Sequence, residues 1–159
     1  MLLALPFLAL LAVATATSVL GCCVPLAGLA AAAAMNLSRR SGAALSLAVW
    51  FSNQVVGFTV HAYPRTLSTF TWGVALGAAT FAAYSIARAF RRNLFAAFGG
   101  AFIAFEFALV GFSFWLGGWG AYAPGLVLEI LAINAAWFAA AHVTLRLVAN
   151  QPIFSTVSE

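Results

Sequence analysis

Few side chains in this chain offer polar chemistry, and most of them sit inside apolar runs. Glu106 stands near the centre of one such run, and an intramembrane carboxylate must be paired, protonated or turned to water. Asn53 and Gln54 lie near the middle of another, where their amides offer both donors and acceptors. His61 and Glu129 lie close to the ends of their runs, and Asn134 and His142 share a stripe with Phe138 at i, i+4 and i+8. This set suits hydrogen bonding and charge recognition better than bond cleavage. No nucleophile–base pair, HExxH, CxxCH or P-loop occurs, so no catalytic residues and no cofactor are expected. A metal site from His61, Glu106 and Glu129 would rest on no close spacing, and none is expected. The two cysteines, Cys22 and Cys23, are adjacent, which disfavours a bridge between them.

The elements that hold these residues are dictated by composition. Of 159 residues, 65% are hydrophobic and 6% charged, with seven Arg, no Lys and three Glu. A soluble domain carries about 25% charged residues. So few charges cannot cover a water-facing surface, and so apolar a chain is not disordered. The expected class is an all-α, polytopic transmembrane bundle forming one integral membrane domain over residues 1–159. The net charge of +4 comes from Arg at the ends of apolar runs, which reads as topology rather than nucleic-acid binding.

Four runs are cleanly bounded: Ala43–His61, Thr66–Ala87, Leu94–Leu116 and Leu126–Val148. The first, Leu2–Asn36, is too long for one straight span of about 20 residues. It is either one kinked helix, giving five helices, or two segments meeting near Ser18–Pro25, giving six. Ala14-Thr15-Ala16 also mimics a signal-peptidase site, without a basic n-region before it. Arg39, Arg40, Arg88, Arg91, Arg92 and Arg146 fall on one side and only Arg65 on the other. The expectation is therefore a cell (inner) membrane protein with the six-Arg side and the C terminus in the cytoplasm. Tyr63, Trp72, Trp115, Trp119 and Tyr122 fall near the other side, as an interfacial aromatic belt does.

Helical phase then orients the polar residues. At about 100° per residue, Gly42, Ser46, Trp50, Asn53, Gln54, Gly57 and His61 share a stripe of roughly 120°, opposite Leu45, Leu47, Val49, Phe51, Val55 and Phe58. Helix–helix glue and a ligand-facing wall both fit that stripe. Thr66, Thr69, Gly73, Gly77, Thr80 and Tyr84 lie within roughly 80°, and Gly73-x-x-x-Gly77 favours close helix approach. Gly99, Glu106 and Ser113 are heptad-spaced on one face. Phase and depth together predict a cavity open to the outer side, lined by Trp50, Asn53, Gln54, His61, Glu106, Glu129 and Asn134. Such a cavity suits a partly apolar solute better than a bare ion.

Ala27-x-x-x-Ala31 and Ala30-x-x-x-Ala34, at the end of the first run, look like docking surfaces for a membrane partner. With these motifs the small, Arg-flanked helical chain resembles the substrate-capture components of energy-coupling factor vitamin transporters. That resemblance covers the helical core and includes no vitamin-specific motif. It implies six helices, an outward vitamin-like binding site and partner subunits contacted through Ala27 and Ala31. The expected function is binding or import of a small organic micronutrient. The alternatives are a non-catalytic accessory subunit of a larger membrane complex, or a membrane enzyme using Glu106 or His61. The expected partners are the lipid bilayer, a small-molecule solute and membrane subunits, with no nucleic acid.

Overall fold

A computed structural model describes residues 4–19, 24–118 and 123–149, and these form six helices with no strand among them. Cys22, Cys23, Trp119 and Tyr122 lie outside the described residues. The helices are α1 (Ala4–Val19), α2 (Leu26–Asn36), α3 (Arg39–Thr59), α4 (Leu67–Ala89), α5 (Leu94–Leu116) and α6 (Pro124–Ala149). The first apolar run is thus two helices, not one kinked span. Three of the starts carry the side-chain caps their sequences provide. Ser38 accepts from the Ser41 N–H, Thr66 from Thr69 and Asn93 from Ala96, each satisfying one orphan donor of the first turn.

The bundle is arranged around its shortest helix. α2 packs against α3, α4, α5 and α6, and every residue from Leu26 to Ala34 is buried. The run Ala30–Ala34 explains how: methyl side chains let four neighbours approach one axis. Ala27 and Ala31, expected on a docking surface, are each 0% exposed, so the small-residue motif serves packing inside this chain instead. Around α2 the order is α1, α3, α4, α5, α6. The α4–α5 seam is extensive, through Ala75, Ala79, Ala83 and Ala87 on one side and Ala97 and Ala101 on the other. The contacts of α6 with α5 and with α1 are slight. Helices joined by a short loop are expected to be close neighbours, but α6 is held chiefly by α2.

Cross-helix bonds give the directions. Thr15 bonds Ser52, and His61 bonds the Ser18 carbonyl, so α1 runs parallel to α3. Gly28 bonds Asn134, and Asn36 bonds His142, so α2 runs parallel to α6. Arg88 Nη1 donates to the carbonyls of Ala34 and Leu37, and the Tyr84 hydroxyl to that of Arg39. These bonds gather the end of α2, the start of α3 and the end of α4 at one arginine-rich end. His142, in the last third of α6, joins them through Asn36.

Leu67–Ala89, Leu94–Leu116 and Pro124–Val148 are long and apolar enough to cross a membrane, and Leu8–Val19 and Leu26–Asn36 are shorter apolar helices. Large apolar side chains coat the outside, including Leu67, Phe95, Phe107 and Trp115, each more than three-quarters exposed. A surface of that kind belongs in a bilayer. Leu45 and Val49, read from sequence on the outward face of the second span, are 2% exposed and pack in the core.

Candidate functional site

The residues expected to line one cavity divide among several environments. Trp50 and Gln54 belong to the α3–α4 groove. The Trp50 indole N–H donates to the Gly73 carbonyl at 2.8 Å. A Cβ on Gly77 would lie 2.8 Å from the same indole, and one on Gly73 2.6 Å from Gln54 Oε1. The two glycines therefore make room for side chains rather than for a second backbone. Outward from this contact a cleft of about 410 Å³ opens on the flank, lined by Trp50, Phe51, Gln54, Val55, Phe58, Thr59, Phe70, Gly73 and Val74. A second cleft, of about 520 Å³, lies between α4 and α5 and is lined by Thr71, Ala108, Gly111, Phe112, Trp115 and Leu116.

His61 closes the other end of the bundle. The chain leaves α3 through Ala62 at φ 51°, a left-handed conformation. The Tyr63 ring then folds over Gly57 and stacks on His61 at 5.8 Å. His61 Nε2 lies 2.8 Å from the Ser18 carbonyl, which only accepts, so Nε2 carries the proton. The imidazole thus satisfies one of the unpaired carbonyls at the end of α1.

Asn134 is 1% exposed, and both halves of its amide are engaged. Its Oδ1 accepts from the Gly28 N–H at 2.8 Å, and its Nδ2 donates to the Ile130 carbonyl at 2.9 Å. Deeper on the same stripe, His142 Nδ1 accepts from Asn36 Nδ2 at 2.8 Å. Glu129 is exposed on α6, away from the buried stripe of Asn134, Phe138, Ala141 and Leu145. Among the described residues no three His, Cys, Asp or Glu side chains come together.

Asn53 and Glu106 are left, and the central helix gives their position meaning. Gly42 packs against the carbonyl of Ala33. Counting seven residues outward along each helix sets Leu26 level with Val49 and puts Asn53 about 6 Å beyond the start of α2. Asn53 shares its face with buried Gly42, Ser46, Val49 and Gly57, so it points inward where α2 has already ended. Its amide makes no hydrogen bond with another described residue. Glu106 stands at the middle of α5, one heptad from Ser113, which is 0% exposed. It is half-buried on the flank of α5 turned toward α6 and has no bond to another described residue. Asn53 and Glu106 stand on α3 and α5, no hydrogen bond joins them, and neither lines either cleft; Gln54, Trp50, Glu129 and Asn134 lie in other environments.

Three structural contacts were not foreseen. Arg88 carried a signal, because a basic residue in a last helical turn is suited to capping carbonyls. Asn36, next to the arginine cluster, carried a weaker one. The Thr15–Ser52 bond carried none, since it joins two helices whose pairing no local pattern reveals. Comparison with protein families, characterised proteins and solved structures found no match for this chain.

Proposed function

We propose that this chain is a membrane-embedded binding component that receives a small, partly apolar organic solute at its arginine-poor end and acts with partner subunits in uptake. It works by binding rather than by bond chemistry. The observation that carries the reading is the shortness of α2. The central helix begins only at Leu26, and one turn beyond it an inward-facing Asn53 amide has no described partner. This half-buried amide keeps both a donor and an acceptor free for a bound solute. The arginine-rich end is assigned to the cytoplasm by the six-to-one Arg asymmetry, so Asn53, beyond the start of α2, lies toward the outer side. The sequence holds no nucleotide-binding motif, which is why uptake is assigned to an assembly.

The test is purification in mild detergent followed by mass spectrometry of the small molecules retained. Wild-type protein is expected to retain one compound in near-stoichiometric amount. Asn53→Ala should retain clearly less, because a loss of about 1–3 kcal/mol weakens binding roughly 5- to 150-fold. Gln54→Ala, altered only in the flank groove, should retain it fully. Absence of any retained compound, with stoichiometric co-purification of other membrane subunits, would instead establish the accessory-subunit alternative.

A further inference from the structure

Glu129 and Gln54 are polar side chains left on the outside of the bundle. Glu129 is exposed on α6, and Gln54 lines the cleft between α3 and α4. Neither hydrogen-bonds to another described residue, and neither atom of the Gln54 amide is sealed inside the fold. Their depths agree. Gly28 bonds Asn134 and Asn36 bonds His142, so the parallel α2 and α6 set Leu26 level with Ala132. Leu26 is also level with Val49, which puts Glu129 at the height of Ser52 and about 3 Å from that of Gln54. Glu129 lies within the apolar span Pro124–Val148, where a carboxylate or an amide is stable only against another polar group. Inside one chain the two cannot meet, because α2 packs between α6 and the α3–α4 pair.

The faces around them match in shape. Glu129, Ala132, Ala136, Ala140, Val143 and Leu147 fall within about 80° on α6, and all are exposed. α1 and α5 touch α6 only slightly and leave this stripe bare among the described residues. Beside the cleft, Leu47, Phe51 and Phe81 project from the α3–α4 flank, 46%, 61% and 49% exposed. Leu47 lies at a depth between those of Ala132 and Ala136. A ridge of alanines has the low relief that projecting side chains require for close approach.

We propose that α6 of one copy of this chain lies in the α3–α4 cleft of the next, with the Glu129 carboxyl group against the Gln54 amide. Ionised, the carboxylate accepts from Gln54 Nε2; protonated, its O–H donates to Oε1, so the pair holds in either state. The contact joins unlike faces and is therefore head-to-tail, each copy using both of its faces. It goes beyond the binding-component reading and does not depend on it, since Asn53 takes no part.

The full-length chain, carrying Cys22→Ser and Cys23→Ser, is reconstituted in lipid vesicles as two populations, one with Phe51→Cys and one with Ala132→Cys. Both positions are exposed, so the fold keeps its packing. Oxidation should link the two populations when mixed and neither one alone. Glu129→Leu in the Ala132→Cys copy, or Gln54→Leu in the Phe51→Cys copy, should cut the linked fraction at least fivefold. Both together should cut it no further, because they remove the same contact. No linkage in the mixed vesicles would mean that lipid covers both faces and would overturn the proposal. Equal linkage within one population alone would replace it with a two-fold contact, and a yield unchanged by both Leu substitutions would sink the Glu129–Gln54 pair. In native membranes, a photoreactive group attached at Ala132→Cys that captures a different protein and no copy of this chain would assign α6 to a partner subunit and overturn the self-contact.

Discussion

The backbone N–H of Gly28 donates to Asn134 Oδ1 at 2.8 Å, and a Cβ on Gly28 would lie 2.3 Å from the Asn134 carbonyl oxygen. A single residue of α6 thus receives the first turn of the central helix through both its side chain and its backbone. Since α6 touches α5 and α1 only slightly, this contact is one of the few that tie it to the bundle.

Gly28→Ala should therefore destabilise the protein by about 1–3 kcal/mol, because the methyl group meets backbone that cannot rotate away. Asn134→Ala should cost a similar amount, about 1–3 kcal/mol, by leaving the Gly28 N–H unpaired in the core. Thermal unfolding in detergent measures both. Wild-type stability in Gly28→Ala would show that α6 can shift outward freely at this level.

The groove between α3 and α4 offers a test of coupling. Trp50→Phe removes the indole N–H and its bond to the Gly73 carbonyl, for an expected loss of about 1 kcal/mol. Gly77→Ala pushes a methyl group to 2.8 Å from the same indole, for about 1–2 kcal/mol. The phenyl ring of the first variant lacks the atoms that clash in the second. The double variant should be clearly less destabilised than the sum of the two. Additive losses would mean that Trp50 already moves freely over Gly77.

How much of this was legible beforehand follows from what hydropathy can distinguish. Leu94–Leu116 was bounded to the residue, since Asn93 caps one end and Gly117-Gly118 ends the other. The inward face of the second span was readable from its small and polar residues, Gly42, Ser46, Asn53 and Gly57. Val49 falls about 40° from Asn53 in helical phase, so its burial was readable there, and only its apolar side chain argued for the outward face. Leu45 lies at the edge of that face, where hydropathy does not separate lipid from protein core. The centrality of α2 was hidden for the same reason. A helix of Ala, Leu and Gly buried on every side has no polar face to betray its neighbours. The six-Arg side was readable as a pattern, whereas the bond from Arg88 to α2 depends on a packing of α2 against α4 that no local sequence encodes.

Arg88 carries the last prediction. Its Nη1 lies 2.7 Å from the carbonyls of both Ala34 and Leu37, at the C-terminal end of α2. Those carbonyls are the negative pole of the helix, and a guanidinium there gains from both the hydrogen bonds and the dipole. Bonds to a charged group contribute about 1.5–3 kcal/mol, and the half-buried position of Arg88 favours the lower part of that range. Arg88→Met should lower stability by about 1–2 kcal/mol and speed amide hydrogen exchange over the last turn of α2. Arg88→Lys keeps the charge at the helix end but loses the fixed fork of donors, so it should recover only part of the loss. Full recovery by Lys would reduce the role to charge alone. If exchange rose equally along α6, whose own bonds to α2 are untouched by the substitution, the effect would be global rather than a local cap.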